Sequence, residues 1–484
     1  MNDIQNLLAA TDAVGLAHLV QRREVQPIEL VEAAIGLISH ADAGLNFMAE
    51  TLFNEARQAA LRVDPTAPLA GVPTVVKDLF PGVGGACMSN GSRLFSGVRA
   101  PGDDEVVTRM RRAGLVILGT STAPELGLNL STESALHGAT RNPWNPALSA
   151  GGSSGGSSVA VAARVVPLAH ASDGGGSIRV PASACHLFGL KPTRGRVPMG
   201  PQVGEGWGGL ACVHAVSRSV RDSAQMLDCL HGPDAGAPYH APAVAGSFRS
   251  ALDEPLPRLR IRLLERTGTA RSADSAAVVA RAARLAQDLG CEVEPLPQLP
   301  VAEDQAWHHL FVIMAANVRA LLGMVERMSG RPVNPQALEP WTRVLLAAHA
   351  KDRVADYVDA VNGCHTLGRT MAGLLQPGDL LLMPTTETPT PPLGYLSTTD
   401  ESRSYDTYRE RFMAYAPTAP LFNMSGQPAM TVPLYRSAQG TPLGAQFVAS
   451  QGGERALLTL AAHLERAAPW AQDRPEPVAA SSFS

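Results

Sequence analysis

The sequence predicts an α/β protein, because short apolar strand candidates alternate with amphipathic helices along its 484 residues. The clearest unit is the helix VVTRMRRAG, which begins at Val106, ends at Gly114 and is followed at once by the strand candidate LVILGT. A second unit has a helix at 275–289 between strand candidates at 261–264 and 291–293. Apolar residues make up 45% of the chain and charged residues 17%, which is sufficient for a large core.

The N-terminal half continues this pattern. Residues 1–65 are predicted to be helical, with Pro27 in the first turn of one helix. Residues 69–79 (LAGVPTVVKDL) are typical of a short buried strand that follows a turn. A helix of small residues is predicted at 157–166, and a strand at 166–170. Together these elements predict a core of strands and helices at about residues 66–230.

The C-terminal half contains a helical insertion. Residues 301–375 have a helical pattern rich in Ala, Leu and Arg. Within residues 376–470, strand candidates follow at 380–383, 430–433 and 445–448, and a final helix follows at 454–468. The Ser/Ala-rich C-terminal end is predicted to fray. Because no segment resembles a long linker, residues 1–484 are predicted to form one α/β body with a helical insertion.

Charge and cysteine content exclude several classes of protein. The formal net charge of −4 argues against a nucleic-acid partner. The six cysteines form no C-x-x-C pair and no Cys/His cluster at zinc spacing, so we expect free thiols in a reducing compartment and no metal site.

The N-terminal sequence does not resemble a signal peptide, and no apolar stretch is long enough to span a bilayer. We therefore expect a cytoplasmic protein without a membrane partner.

Two glycine- and serine-rich segments suggest chemistry. Residues 151–158 read GGSSGGSS, and residues 173–179 read DGGGSIR. A flexible linker would explain the first segment and an ordinary turn the second. The first segment, however, is short and both of its flanks have an ordered pattern, and its glycines allow the backbone to approach a ligand closely. The two segments together are also far more specific than either one alone. The glycines before Ser177 also expose backbone N–H groups that can stabilise an oxyanion while the serine attacks a carbonyl.

A serine nucleophile needs a group that takes its proton, and two residues are candidates. His170 is of the usual type, but it ends an apolar strand candidate, where a structural role is equally expected. Lys77 follows the apolar pair Val75 and Val76, and a lysine among apolar neighbours has a lowered pKa and can act as a base. The alternative is a lysine on the surface at the end of a strand. Three of the 40 basic residues are lysines, and this scarcity favours a special role for Lys77.

Taken together, these motifs resemble those of the amidase signature family. The resemblance rests on a series of motifs: GVP from Gly71, Lys77-Asp78, GGSSGG from Gly151, DGGGSIR from Asp173 and GLKPTRGR from Gly189. Further similar segments are GTSTAPELG, GATRNPWN, FNMSGQPA and PLGAQFVA. The resemblance therefore covers essentially the whole chain, with residues 301–375 matching least. It implies a single large body with a mixed central β-sheet covered by helices.

The resemblance implies a Ser–cisSer–Lys triad. By motif position, Ser177 is the nucleophile, Ser153 is the bridging serine behind a non-proline cis peptide bond, and Lys77 is the terminal base. Neutral Lys77 is then expected to take a proton from Ser153, which takes one from Ser177. Ser177 attacks the substrate carbonyl, and water later hydrolyses the acyl-enzyme. The resemblance implies neither a metal ion nor an organic cofactor.

The resemblance also assigns roles to the residues around the triad. The backbone N–H groups implied to form the oxyanion hole are those of Gly174, Gly175 and Gly176. The side chains implied to hold the two loops in place are those of Ser154, Asp173 and Arg179. One departure from the family is Ser172, where Thr or Asn is frequent, and we expect it to leave the chemistry unchanged.

Three other interpretations are open. Residues 151–155 match the G-x-S-x-G elbow of α/β-hydrolases, but the preceding NPWNPALSA contains two prolines and is predicted as a loop, where that fold needs a strand. Residues 204–209 match the letters of a dinucleotide-binding fingerprint, although no clear strand precedes them. The third is the amidase subunit of a tRNA-dependent amidotransferase, which acts on glutamine. The segment FNMSGQPA is more similar to free-standing acyl-amide hydrolases.

The substrate is the least determined feature. Within the family, GATRNPWN and residues 173–200 are most similar to hydrolases of the 6-aminohexanoate cyclic dimer, a nylon oligomer, and to aryl acylamidases. A small-molecule amide is therefore expected, with carbamates (urethanase activity) and esters as alternatives. Residues 301–375, the loop 385–395 and the GEGWGG loop are predicted to form the substrate-side walls and to favour an apolar group, through Leu310, Phe311, Met314, Trp341 and Leu393. Each of these five side chains could equally belong to the core. We expect a monomer or a homodimer.

Overall fold

A layer of helices beside a three-stranded sheet forms the N-terminal part of the described chain. The structure is a computed structural model that describes residues 2–476, so the end predicted to fray lies outside the described residues. The elements of this part are α1 (Asp3–Ala10), α2 (Ala13–Gln21), α3 (Pro27–Leu45), β1 (Met48–Thr51), α4 (Phe53–Ala60), β2 (Pro73–Lys77), α5 (Glu105–Arg112) and β3 (Val116–Ser121). Strand β3 is parallel to β2 and antiparallel to β1. Helix α3 begins at Pro27, as predicted. The prediction that residues 1–65 are helical is wrong at β1, which forms a strand because it pairs with β3.

The middle of the chain carries the two Gly/Ser segments. Its elements are β4 (Glu133–Ser134), β5 (Gly138–Ala139), β6 (Arg141–Asn142), β7 (Asn145–Ser149), α6 (Gly155–Ala162), β8 (Leu168–Asp173), α7 (Arg179–Ala184), β9 (Phe188–Lys191), β10 (Cys212–Ser217) and α8 (Val220–Leu230). The prediction that NPWNPALSA forms a loop is wrong in part, because this segment contains β7, which pairs with β6. This hairpin lies outside the main sheet, so the segment does not provide the sheet strand that an α/β-hydrolase elbow requires.

The C-terminal part contains the insertion and the remaining strands. Its elements are β11 (Arg260–Leu264), α9 (Ala273–Asp288), β12 (Glu292–Leu296), α10 (Glu303–Ser329), α11 (Pro340–Ala348), α12 (Val354–Leu374), β13 (Asp379–Pro384), α13 (Tyr405–Tyr415), α14 (Leu421–Met424), β14 (Ala429–Arg436), β15 (Pro442–Ala449) and α15 (Glu454–Ala467). Short 3-10 turns lie at Arg93–Phe95, Glu125–Gly127, Ser250–Asp253 and Pro335–Ala337. The predicted helical pattern at 301–375 corresponds to α10–α12.

Within the described residues, eight strands form a mixed sheet in the order β12-β11-β13-β15-β14-β9-β10-β8. Strand β11 is parallel to β12 and β13, and the other neighbouring pairs are antiparallel. The Thr74 hydroxyl of β2 donates to the Leu168 carbonyl of β8 at 3.0 Å, which joins the small sheet to the large one. This contact brings together the ends of β2, at Lys77, and of β8, at Asp173. The α/β class and the mixed sheet covered by helices are confirmed.

The insertion packs with α13 around an aromatic cluster, apart from the larger core beside the sheets. Trp341 is fully buried in this cluster, and its Nε1 donates to the Leu128 carbonyl at 2.9 Å. The rings of Phe311, Tyr408 and Phe412 have centroids between 4.9 and 5.8 Å from that of Trp341. The insertion is therefore fastened to the segment around Leu128.

Helix α10 is long and apolar, which departs from the prediction that no apolar stretch is long enough to span a bilayer. Of the helices in residues 2–476, it alone has the length and composition that could cross a membrane, with a mean hydropathy of 1.4 over its most apolar window. Nine of its residues, including Trp307 and Phe311, are buried against the rest of the protein. In this structure it serves as a core helix of the insertion.

Replacing Trp341 with alanine is expected to lower the free energy of unfolding by about 3–5 kcal/mol, because it creates a cavity and removes the donor to Leu128. Trp341→Phe should cost less, since it keeps an aromatic ring. Urea unfolding followed by circular dichroism measures both. Val354 is 82% exposed in the same insertion, so Val354→Ala is the control and should stay within about 0.5 kcal/mol of wild type. Equal unfolding midpoints for the Trp341 and Val354 variants would contradict the expectation.

Candidate active site

Lys77 lies inside the protein rather than on its surface. It is the last residue of β2 and is 1% exposed. Its Nζ is 2.7 Å from Ser153 Oγ and 2.9 Å from Ser172 Oγ. The alternative of a lysine on the surface is therefore excluded. The three side chains form a buried polar cluster where β2 and β8 end.

The environment of Lys77 favours its neutral form. Burial lowers the pKa of Lys77 to about 7, although the negative charge of Asp173 raises it. Near neutral pH, a large fraction of the amine therefore has a free lone pair and can accept a proton. An arginine in the same place would keep its proton. The site thus holds a buried base in contact with a serine hydroxyl.

Ser153 lies in the loop between β7 and α6. The Gly152–Ser153 peptide bond is cis, at the position where the family resemblance implies one. A Cβ atom at Gly152 would lie 2.6 Å from the Ser131 nitrogen, so glycine is needed for this close approach of two backbones. On the other side, the Ser154 hydroxyl donates to the Ser172 carbonyl at 3.1 Å. Ser153 is therefore held between two fixed segments of backbone.

Ser177 lies in the turn between β8 and α7 and lines a cavity. The residue is 6% exposed, and its hydroxyl makes no hydrogen bond within residues 2–476, so its oxygen is available to a ligand. Gly127 lines the same cavity, and a Cβ atom built on it would be 3.4 Å from Ser153 Oγ. Lys77 and Ser153 are thus in direct contact, and Ser153 Oγ lies close to Gly127 in the wall of the cavity that Ser177 lines; within residues 2–476 no hydrogen bond joins the two serines.

The carboxylate of Asp173 shapes the turn that carries Ser177. It accepts hydrogen bonds from the N–H groups of Gly176 at 2.7 Å and Ile178 at 3.0 Å. Gly176 has a φ of 118°, a conformation that favours glycine. Because its N–H is bound to Asp173, Gly176 is not free to bind an oxyanion, which departs from the prediction for this residue. In the described part of the chain, the N–H groups of this turn without an acceptor are those of Gly174, Gly175 and Ser177.

Arg179 holds Asp173 in place. Arg179 is fully buried, and its Nε and Nη2 donate to the two carboxylate oxygens of Asp173, each at 2.9 Å. Burial raises the pKa of Asp173, but the Arg179 charge outweighs burial and holds that pKa well below its usual range. Gln446 accepts from Arg179 Nη1 and Asn423 from Nη2, each at 2.8 Å. Sequence reasoning missed these two residues, although PLGAQFVA and FNMSGQPA contain them.

His170, the other candidate base, lies on β8 and makes no hydrogen bond to Ser153 or Ser177 among the described residues. Neither ring nitrogen has a hydrogen-bond partner among residues 2–476. Burial and the nearby Lys77 charge lower the pKa of His170 to about 3, so the ring is neutral. Asp78 is the next residue after Lys77 in the chain, and its carboxylate accepts a hydrogen bond from the Ser89 N–H at 2.8 Å. The geometry therefore favours Lys77 as the base.

A cavity of about 360 Å³ opens at Ser177. Its walls are formed by Gly127, Leu128, Asn129, Leu130, Gly175, Ser177, Trp207, Trp307, Leu310, Phe311, Met314 and Phe412. Leu310, Phe311 and Met314 are among the predicted wall residues. Trp341 and Leu393 are predicted as well but do not line the cavity. Trp341 lies one layer behind the wall, where its ring packs against Phe311.

The rest of the wall comes from several segments. Trp207 belongs to the GEGWGG loop between β9 and β10, and this loop does not lead into a helix as a dinucleotide fingerprint would require. Residues 385–395 contribute no lining residue, contrary to prediction, whereas Trp307 and Phe412 do. None of the lining residues is charged. The cavity therefore suits a neutral, largely apolar group.

All six cysteines are free, as predicted. Burial raises the pKa of the Cys364 thiol to about 11, so it stays protonated at neutral pH. In residues 2–476, no group of three or more His, Cys, Asp or Glu side chains is placed to hold a metal ion.

Comparison with known proteins gives concordant results. A family model described as Amidase matches residues 29–458. The chain is 35% identical over 481 residues to the 6-aminohexanoate-cyclic-dimer hydrolases of Pseudomonas sp. (strain NK87) and Paenarthrobacter ureafaciens, with 96% of each chain covered. A solved structure of 6-aminohexanoate cyclic dimer hydrolase complexed with substrate superposes with a TM-score of 0.92 and 32% identity, covering 98% of this chain and 99% of that chain. A bacterial aryl acylamidase of the amidase signature family gives a TM-score of 0.86 and 28% identity, covering 96% and 97%.

Replacing Asp173 with asparagine is expected to lower the free energy of unfolding by about 3–5 kcal/mol, because it leaves the Arg179 guanidinium buried without its partner. Urea unfolding measures the change. The exposed pair of Arg22 and Glu24, whose side chains are 59% and 53% exposed, provides the control. Glu24→Gln should leave the unfolding curve unchanged. An Asp173→Asn variant that unfolds at the wild-type urea concentration would refute the expectation.

Proposed function

The chain belongs to the amidase family of amide hydrolases, and on this basis we propose that it cleaves carboxylic amides through an acyl-enzyme formed on Ser177. The observation that carries the proposal is the buried contact of Lys77 Nζ with Ser153 Oγ, at 2.7 Å, beside the cavity that Ser177 lines. The proposed substrate is a small neutral amide with an apolar acyl or aryl group. Nylon-type oligomers are candidates because of the relatives named above.

In the proposed mechanism, Lys77 and the two serines form a proton relay. Neutral Lys77 accepts the proton of Ser153, and Ser153 Oγ accepts the proton of Ser177. At the same time, Ser177 Oγ forms a bond to the carbonyl carbon. The hydrogen bond between the two serines forms in the substrate complex, since catalytic hydrogen bonds often tighten only there.

The proposed oxyanion hole consists of the free backbone N–H groups of the turn, those of Gly174, Gly175 and Ser177. One such donor contributes about 2.7–4 kcal/mol to transition-state stabilisation in other serine hydrolases. As the tetrahedral intermediate collapses, the proton passes back through Ser153 to the amine nitrogen, and the C–N bond breaks. Water then attacks the acyl carbon and gives a proton to the same relay. The relay returns a proton to Ser177 Oγ as the bond between the acyl carbon and Oγ breaks, and the carboxylic acid leaves.

We propose that the same site also accepts carbamates and esters. Ser177 Oγ attacks the carbonyl carbon, and the relay protonates the leaving atom, whether that atom is nitrogen or oxygen. The cavity wall has no charged residue that would select an amide nitrogen. A panel of anilide, linear amide, nylon oligomer, carbamate, ester and glutamine substrates ranks these classes. Turnover of an anilide by the purified chain alone would also exclude the subunit of a glutamine-dependent amidotransferase.

Replacing Ser177 with alanine is expected to lower kcat by at least about a thousandfold, because no acyl-enzyme can form. Anilide hydrolysis measures the loss. In wild type, mass spectrometry should find a fluorophosphonate adduct on Ser177 and on no other serine. The control is Ser158→Ala, because the buried Ser158 hydroxyl has no hydrogen-bond partner among the described residues. Activity above a few per cent in Ser177→Ala would eliminate Ser177 as the nucleophile.

The rate is expected to depend on the protonation of Lys77. Since Lys77 must be neutral to act as a base and burial lowers its pKa to about 7, kcat/KM should rise with pH and level off above that value. Below it, the rate should fall about tenfold per pH unit. Lys77→Arg should remain inactive up to pH 10, because arginine keeps its proton. A flat profile from pH 5 to 9, or a Lys77→Ala variant close to wild type at pH 8, would count against this base.

A further inference from the structure

We propose that Trp207 sets the size of the substrate group that lies against the Ser177 turn, which makes it a specificity-determining residue. This inference rests on the proposed function and extends it by naming the side chain that limits the substrate. Trp207 lines the cavity of about 360 Å³ together with Ser177, Trp307 and Phe311. Unlike Trp307 and Phe311, it comes from a loop rather than from a helix.

The indole ring of Trp207 lies directly against the turn that carries Ser177. A Cβ atom at Gly174 would be 2.9 Å from Trp207 Cε3 and 3.0 Å from Cζ3, so the benzo edge of the ring occupies the space of a side chain at Gly174. Gly174 supplies one of the N–H groups of the proposed oxyanion hole. The ring therefore borders the position of the substrate carbonyl and of the group attached to it.

The hydrogen bonding of Trp207 differs from that of the other tryptophans. Four of the five tryptophans donate from Nε1 to a backbone carbonyl, at 2.8 to 3.0 Å: Trp144, Trp307, Trp341 and Trp470. Trp207 has no acceptor among residues 2–476 and is partly exposed. A tryptophan that serves the fold alone is usually buried with its N–H satisfied. The exception lies in the cavity, which points to contact with substrate.

The loop that carries Trp207 is held in place by its neighbours. Trp207 has a φ of 52° and Gly209 a φ of 81°. A left-handed conformation is uncommon for a bulky residue and costs about 1–3 kcal/mol, so it persists only where neighbours enforce it. Arg194 Nε donates to the Gly209 carbonyl at 2.5 Å, and Tyr239 OH donates to the Glu205 carboxylate at 2.7 Å. The loop is thus fastened on both sides of Trp207.

Asn423 connects this loop to the Ser177 turn. Its Nδ2 donates to the Leu210 carbonyl at 3.1 Å and to the Asp173 carbonyl at 2.7 Å. The loop and the turn therefore share one anchor, which sets the distance between the indole and Ser177. A fixed wall limits the group that fits beside it, because overpacking a rigid site costs free energy.

The test compares wild type with Trp207→Phe and Trp207→Ala on two series of substrates. One series has 4-nitroanilides with acyl chains from acetyl to octanoyl, and the other has acetanilides with ring substituents of increasing length. In at least one of the two series, Trp207→Ala should raise kcat/KM for the longest substrate relative to the shortest by at least about tenfold. One methylene group in an apolar pocket changes the rate about 10–200-fold. Trp207→Phe should give a smaller shift in the same series.

The matched control is Trp144→Phe. The Trp144 ring packs against His186, and Trp144 does not line the cavity. This variant should keep the wild-type profile in both series. Labelling with alkyl fluorophosphonates of short and long chain, which attach to Ser177 with loss of fluoride, provides a second measure that does not depend on the choice of amide.

The outcomes separate the two proposals. If wild type hydrolyses anilides and is labelled on Ser177, while a folded Trp207→Ala variant keeps the wild-type profile in both series and in labelling, the role of Trp207 is overturned and the proposed function stands. If wild type neither hydrolyses any amide nor is labelled on Ser177, the proposed function itself fails. A shift in either series supports the role of Trp207 and identifies the group that it contacts.

Discussion

The buried ion pair between Asp173 and Arg179 is the interaction on which the geometry of the site depends. Both side chains are completely buried, a situation that is stabilising only when good geometry and further hydrogen bonds compensate for the lost hydration. Here the carboxylate accepts from backbone N–H groups as well as from the guanidinium. The pair therefore gives one conformation to a glycine-rich turn that has little preference of its own. Because Asn423, which also binds Asp173, lies 250 residues later in the chain, the site requires the assembled fold.

The same carboxylate moderates the proposed base. Burial alone would lower the pKa of Lys77 further, and the charge of Asp173 opposes it. A lysine without burial would stay protonated at neutral pH, whereas one without a nearby carboxylate would be a weaker base. Lys191 is buried nearby, and burial lowers its pKa as well, while its Nζ donates to the Pro192 carbonyl at 2.9 Å. The balance between one carboxylate and several buried cations thus controls both the shape and the basicity of the site.

The sequence predicted the α/β class and the strands β2, β3, β8 and β11–β15, because these follow from local patterns. Short motifs also singled out Lys77, Ser153 and Ser177, of which the structure joins Lys77 to Ser153 by a hydrogen bond and places Ser177 in the cavity wall. The sequence did not predict β9 and β10, since segments such as CVHAVS become strands mainly through their neighbours in the sheet. The direction of the Gly176 N–H could not be predicted from the sequence either, because it depends on a backbone angle and on the position of the Asp173 carboxylate. The sequence also shows that Trp341 is an apolar residue in a helical segment, but it does not show whether the side chain faces the cavity or the core.

The proposed catalytic residues and half of the apolar wall lie in different parts of the fold. The serines and Lys77 lie on segments beside the sheets, whereas Trp307, Leu310 and Met314 lie on α10, in the separate cluster of the insertion. Leu310 lies beside the Ser177 turn at Gly175, but within residues 2–476 none of these three side chains hydrogen-bonds Lys77, Ser153 or Asp173. Changes on one face of α10 can therefore reshape the cavity while leaving the buried charges around Lys77 intact. In evolutionary terms, such an architecture lets selectivity diverge along a single helix while reactivity is inherited unchanged.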